Sequence, residues 1–83
     1  MKILYFAWVR QKIGVSEEEV TVPHSVATVA GLVEFLRRRG PGHEAAFRDT
    51  KLLRVAVNQQ HTGFDAAIGP NDEIAFFPPV TGG

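Results

Sequence analysis

Asp72-Glu73-Ile74-Ala75-Phe76-Phe77-Pro78-Pro79-Val80-Thr81-Gly82-Gly83 closes the 83-residue sequence and decides how the rest of it is read. Glu73 to Phe77 reads as a strand, and Gly69-Pro70-Asn71-Asp72 before it is a strong turn signal. Pro78 and Pro79 fix φ and remove two backbone donors, so the strand cannot continue. They favour a polyproline-like exit that projects the chain away from the fold, and Val80 and Thr81 keep it stiff. Gly82 and Gly83 lack a Cβ, so the end can enter a channel too narrow for any side chain. The expected organisation is one domain over residues 1–77 and an extended, flexible tail over 78–83.

Upstream, Leu53-Arg54-Val55-Ala56-Val57-Asn58 reads as a strand, Asn58 to Gly63 as a turn, and Phe64–Ala67 as a short strand. Residues 2–10, rich in β-branched and aromatic residues, read as the first strand. Gln11 to Ser16, with Gly14 inside, reads as a turn. Glu18 to Val22 alternates polar and apolar residues until Pro23, so these segments predict a hairpin with a long loop. Between the two halves, Val29, Leu32, Val33 and Leu36 follow i, i+3, i+4, i+7 spacing, which predicts a helix with one apolar face. Thr28 is its N-cap, with Ser25 an earlier alternative, and Gly31 inside it costs up to ~1 kcal/mol relative to alanine. Gly40-Pro41-Gly42 stops it. Residues 43–53 predict one helical turn around Glu44–Phe47 and then a polar loop. The order implies an α+β, β-grasp (ubiquitin-like) architecture: a mixed sheet with one main helix packed on one face.

Composition removes several function classes. A chain of this length buries ~60–65% of its unfolded surface. Its 45% apolar and 22% charged residues are ordinary for a globular domain. Nine basic residues balance nine acidic ones, so no net field favours nucleic acid or an anionic membrane. Arg37-Arg38-Arg39 falls at the predicted helix end, where cations offset the dipole. There is no cysteine, which excludes disulfides, thiolate catalysis and Cys-based zinc sites. No signal-peptide pattern and no run near ~20 apolar residues is present, so a cytoplasmic location is expected. His24, His43 and His61 lack metal-ligand spacing. Asp65 and Asp72 lie in turn contexts, where the carboxylate caps backbone groups. No glycine-rich loop precedes a helix as an anion site requires.

The chemistry therefore falls to the tail. A glycine carboxylate becomes an electrophile once ATP adenylates it; sulfide or persulfide can then displace AMP to leave a thiocarboxylate, or a lysine amine can give an isopeptide. The carrier needs no acid or base of its own. Side-chain parity adds a docking face. With Lys2 and Arg10 facing water, Ile3, Tyr5 and Ala7 point to the helix, and Leu4, Phe6 and Trp8 point outward. In the last strand Ile74 and Phe76 point to the core, Glu73 and Phe77 outward. Leu4, Phe6, Trp8 and Phe77 then form an exposed apolar patch if the two strands are neighbours, as an interface would.

Asp72 through Gly83 resembles the C-terminal signature of the small subunit of molybdopterin synthase. Lys2 to Ala7 with Val9-Arg10 resembles that family's first strand, and Val55-Ala56-Val57-Asn58 its central strand. The resemblance spans the chain. It implies that an E1-like adenylyltransferase consumes ATP at Gly83, that a sulfur donor protein supplies the thiocarboxylate sulfur, and that the large subunit of molybdopterin synthase takes up the tail. There Gly83 would deliver sulfur to the pterin precursor, with Gly82 giving access to the active site, in a heterotetramer. No bound cofactor and no metal are expected. The partner-binding set is Leu4, Phe6, Trp8, Phe77, Pro78, Pro79, Val80, Thr81 and His61. His61 stands where that family suggests an apolar residue, and Trp8 where it suggests a polar one. Three readings stay open beside this one: a carrier for thiamine or tRNA thiolation, a protein modifier, and a docking module with an inert tail.

Overall fold

The strand predicted over Glu73–Phe77 is found there, with alternating burial that sends Ile74 and Phe76 to the core. The computed structural model describes residues 1–79. The chain runs β1 (Lys2–Tyr5), α1 (Ala7–Ile13), β2 (Glu17–Glu19), α2 (Val29–Arg37), α3 (Pro41–Phe47), a 3₁₀ turn (Thr50–Leu52), β3 (Arg54–Val57), β4 (Gln60–Thr62) and β5 (Glu73–Phe77). The strands form one sheet in the order β2-β1-β5-β3-β4. β1 and β5 are parallel, and the remaining pairs are antiparallel. This is the expected mixed β-grasp sheet, but with three helices rather than one main helix.

α2 forms as the spacing predicts. Thr28 Oγ1 accepts from the Gly31 N–H at 3.2 Å, and Val29, Leu32, Val33 and Leu36 are all buried. They pack with Ile3, Tyr5, Val55, Ile74 and Phe76 of the sheet in one core. Phe47 of α3 sets its ring edge-on to Phe76, centroids 4.9 Å apart, and to Tyr5 at 6.3 Å. The basic run sits at the end of α2 as expected. Arg37 pairs with Glu34 at 3.0 Å and with Glu44 of α3 at 2.9 Å, tying the two helices.

Four sequence readings are corrected. The first strand stops at Tyr5 rather than Arg10, because Val9 and Ile13, four apart, turn inward on α1. Gly14, at φ 100, ends that helix in the left-handed conformation that glycine favours. The predicted turn over 58–63 contains β4: Asn58 and Gln59 both take positive φ, so two residues suffice to reverse the chain, and Val57 pairs with Gln60. The short strand expected over 64–67 is instead a capping loop. Ala66 and Phe64 carbonyls accept from the Val29 and Ala30 N–H groups at 3.1 and 2.8 Å, and one bridge joins Ala67 to Thr28. These contacts satisfy donors that the start of a helix leaves unpaired. Around residues 43–53, the single predicted turn is a full helix opened by Pro41, followed by the 3₁₀ turn. No helix among the described residues is long and apolar enough to cross a membrane.

Candidate functional site

β5 lies at the centre of the sheet and ends in Pro78 and Pro79, so the tail leaves from the middle of the fold rather than from an edge. The helices cover one face of the sheet. On the other, the register sets outward side chains in rows. Leu4 stands beside Ala75, Ala75 beside Ala56, and Ala56 beside His61. One row nearer the tail, Phe77 stands beside Arg54. At the opposite end Lys2 lies between Glu19 and Glu73. The outward face is thus an apolar band with Glu17 at its β2 edge beside Leu4, bounded by Arg54 toward the tail and by the Lys2 row at the far end.

The two alanines give the band its shape. His61 on β4 and Phe77 on β5 reach toward each other across β3, with ring centroids 5.1 Å apart. Ala56 lies in the ladder between them and is 6% exposed although it stands outside the helix-side core. A larger residue there would hold the two rings apart. Beside Phe77, the Phe6 N–H donates to the Phe76 carbonyl at 3.1 Å. The Phe6 side chain is 49% exposed. Ala7 then takes φ 53 and turns the chain into α1, a left-handed conformation that costs an L-residue roughly 1–2 kcal/mol. That corner leaves Phe6 at the tail's exit.

The expected docking set is therefore partly assembled. Leu4, Phe77 and His61 share the outward face, Phe6 adjoins it, and Pro78 and Pro79 continue from it half-buried. Trp8 does not join them. Parity fails where the strand ends, and Trp8 sits on α1, half-buried in a groove with Lys12, Ala45, Ala46, Arg48 and Leu52. Ala7, expected to point to the core, is exposed for the same reason. Val80, Thr81, Gly82 and Gly83 lie outside the described residues.

Sequence reasoning missed a polar cluster on the helix side. Tyr5 O–H donates to Glu18 Oε2 at 2.6 Å, and His43 Nε2 lies 2.9 Å from the same oxygen. Burial, helped by the neighbouring carboxylate, pushes the Tyr5 phenol far above its ordinary range. Partial burial acts to raise the Glu18 carboxyl, but the hydrogen bonds from His43 and Tyr5 outweigh it and hold the group below its ordinary value. The three residues come from β1, β2 and α3, so no spacing rule could have joined them. They clamp the helical layer to the sheet edge. Asp72 behaves as expected of a turn carboxylate, accepting from the Gly69 N–H at 2.8 Å and from Asn58 Nδ2 at 3.0 Å. These bonds hold it below the usual carboxylate range, that from Asn58 most. Among the described residues no group of His, Cys, Asp or Glu is arranged to hold a metal ion. The described residues thus set an apolar band beside the strand end at Pro78 and Pro79.

Comparison with known proteins agrees with this arrangement. The ThiS family model matches residues 3–83. The molybdopterin synthase sulfur carrier subunit of Escherichia coli is 41% identical over 83 residues, covering 100% of this chain and 99% of that protein. Its Haemophilus influenzae counterpart is 40% identical over the same span. Among solved structures, a molybdopterin converting factor subunit 1 from Pyrococcus furiosus superposes with a TM-score of 0.77 at 34% identity, over 95% of both chains. SAMP1 from Haloferax volcanii superposes at 0.74 with 26% identity, over 100% of this chain and 98% of that one.

Proposed function

This chain belongs to the ThiS family, and on that premise we propose that it is the sulfur carrier subunit of molybdopterin synthase, working through the carboxylate of Gly83. The observation that carries the reading is the pairing of a central strand ending in Pro78-Pro79 with full-length similarity to subunits of that name. A tail leaving mid-sheet, beside an apolar face, lets a partner hold the domain while the terminus enters its active site.

The proposed cycle has two stages. An E1-like enzyme adenylates the Gly83 carboxylate with ATP and releases pyrophosphate; hydrosulfide then displaces AMP to give the thiocarboxylate. If the donor presents a persulfide, the first product is an acyl disulfide that a second thiol must reduce. This chain has no cysteine, so that thiol comes from a partner, and the composition suits a reducing cytoplasm. The large subunit of the synthase, in a heterotetramer, then takes up the tail and passes its sulfur to the pterin precursor. The part of this chain is to bind and to deliver. The test is reconstitution: the chain, prepared as its thiocarboxylate, should form dithiolene product with the large subunit and precursor, while the carboxylate form should not. Thiocarboxylate that the large subunit cannot use would contradict the reading.

A second reading, a protein modifier attached through Gly83, is favoured by the likeness to SAMP1. Conjugates on lysines after activation would support it.

A further inference from the structure

The outward face carries a charge pattern that its apolar band does not require. At the end far from the tail, Lys2 lies between Glu19 and Glu73, with its Nζ 3.7 Å from Glu17. Three carboxylates there face two ammoniums, that of Lys2 and the N-terminal one of Met1, which pairs with Glu19 at 3.1 Å. At the tail end the sign reverses. Arg54 stands beside Phe77 on that face, and with Lys51 it borders a recess of about 310 Å³ that runs round to the helix side, walled by Leu53, Val55, Thr50, Thr62 and Phe64 and by no carboxylate among the described residues. Arg54 donates one N–H to the Leu53 carbonyl at 2.9 Å. Among the described residues neither cation forms an ion pair. The neighbouring Asp49 is turned to the Lys51 backbone N–H at 3.0 Å, as the cap of the 3₁₀ turn.

We propose that this recess receives an aspartate or glutamate side chain of the protein that takes up the tail. The inference rests on the function proposed above and names the contact that would orient the complex. A guanidinium presents a planar fork that a carboxylate matches with two hydrogen bonds, and the threonine hydroxyls add donors. Arg54 at the rim of the recess stands beside Phe77, the last residue of β5, so an occupant of the recess lies next to the strand that leads into Pro78. Because the far end of the face that carries Arg54 is acidic, a partner docked the wrong way round would set carboxylate against carboxylate. Like charges so placed oppose association, and complementary ones steer encounter. The apolar band thus supplies adhesion and the charged rows supply direction.

The experiment measures affinity of the full chain for the large synthase subunit at roughly 50 mM and about 500 mM salt, which shortens the screening length severalfold. Arg54→Glu and Lys51→Glu should each weaken binding about tenfold or more at low salt, a gap that narrows at high salt. Arg38→Glu, at the end of α2, should bind as the wild type does. Reversal variants within about twofold of wild type at low salt would overturn the inference alone. A wild-type chain that does not bind the large subunit would overturn the functional reading and this inference with it. If Arg54→Glu instead abolishes binding of inorganic phosphate or ATP to the isolated chain and leaves subunit affinity unchanged, the recess is a small-anion site and the proposal fails.

Discussion

Gly42→Ala adds one methyl group where α1 and α3 touch. The new Cβ would collide with the Lys12 carbonyl oxygen and lie 3.4 Å from Ile13 Cα and Lys12 C. All three are backbone atoms, so no side-chain rotation relieves the clash, and the helices must part by roughly 1 Å. Overpacking of this kind costs about 1–3 kcal/mol. Alanine's helix preference returns at most ~1 kcal/mol, and less here, because Gly42 is in the first turn of α3. The net expectation is a loss of about 1–2 kcal/mol, which lowers the Tm of a domain this size by about 5–15 °C. Gly40→Ala is the comparison. A Cβ there meets nothing within 4 Å, and its φ of 168 is extended backbone open to any residue, leaving only an N-cap preference of ~0.5 kcal/mol. Thermal unfolding followed by circular dichroism separates the two. A Gly42→Ala protein as stable as the Gly40→Ala protein would refute the close approach of the helices.

Two further outcomes follow from the polar cluster and the outward face. Glu18 has a folded pKa held below its ordinary 4.5, so its contribution is present above that value and is lost as pH falls through the lower, folded one. Wild type should therefore exceed Glu18→Gln in stability near about pH 7, with the gap closing below about pH 4.5; denaturant unfolding across that range should show it, and a gap independent of pH would contradict the clamp. Phe77→Ser should leave the domain folded, since the ring lies on the face without helices, yet weaken large-subunit binding by about 1–3 kcal/mol. Calorimetric titration checks this, and unchanged affinity would remove Phe77 from the docking face.

Local patterning carried most of the fold. The heptad-like spacing of Val29 to Leu36 and the Pro-Pro stop after Phe77 each leave a mark within a few residues, and both elements are found where expected. Residues 7–10 misled because Trp8 and Val9 suit a strand by composition, and only the tertiary burial of Val9 and Ile13 selects the helix. The 58–63 segment misled in a related way: its turn signals hid how little chain a pair of positive-φ residues needs. Parity named Leu4 and Phe77 correctly because both lie within true strands, and failed for Trp8 beyond the strand's end. The Tyr5–Glu18–His43 cluster and the Arg54 recess join separate elements. Such contacts have no period or spacing in the chain, so they become visible only once the sheet order is known.

The most direct test of the account is the intact mass of this chain after incubation with an E1-like activating enzyme, ATP and a sulfur source. The account predicts a gain equal to the difference between one sulfur and one oxygen atom, absent without ATP and absent when Gly83 is deleted. An unchanged mass, with the same enzyme shown to charge another carrier, would contradict it.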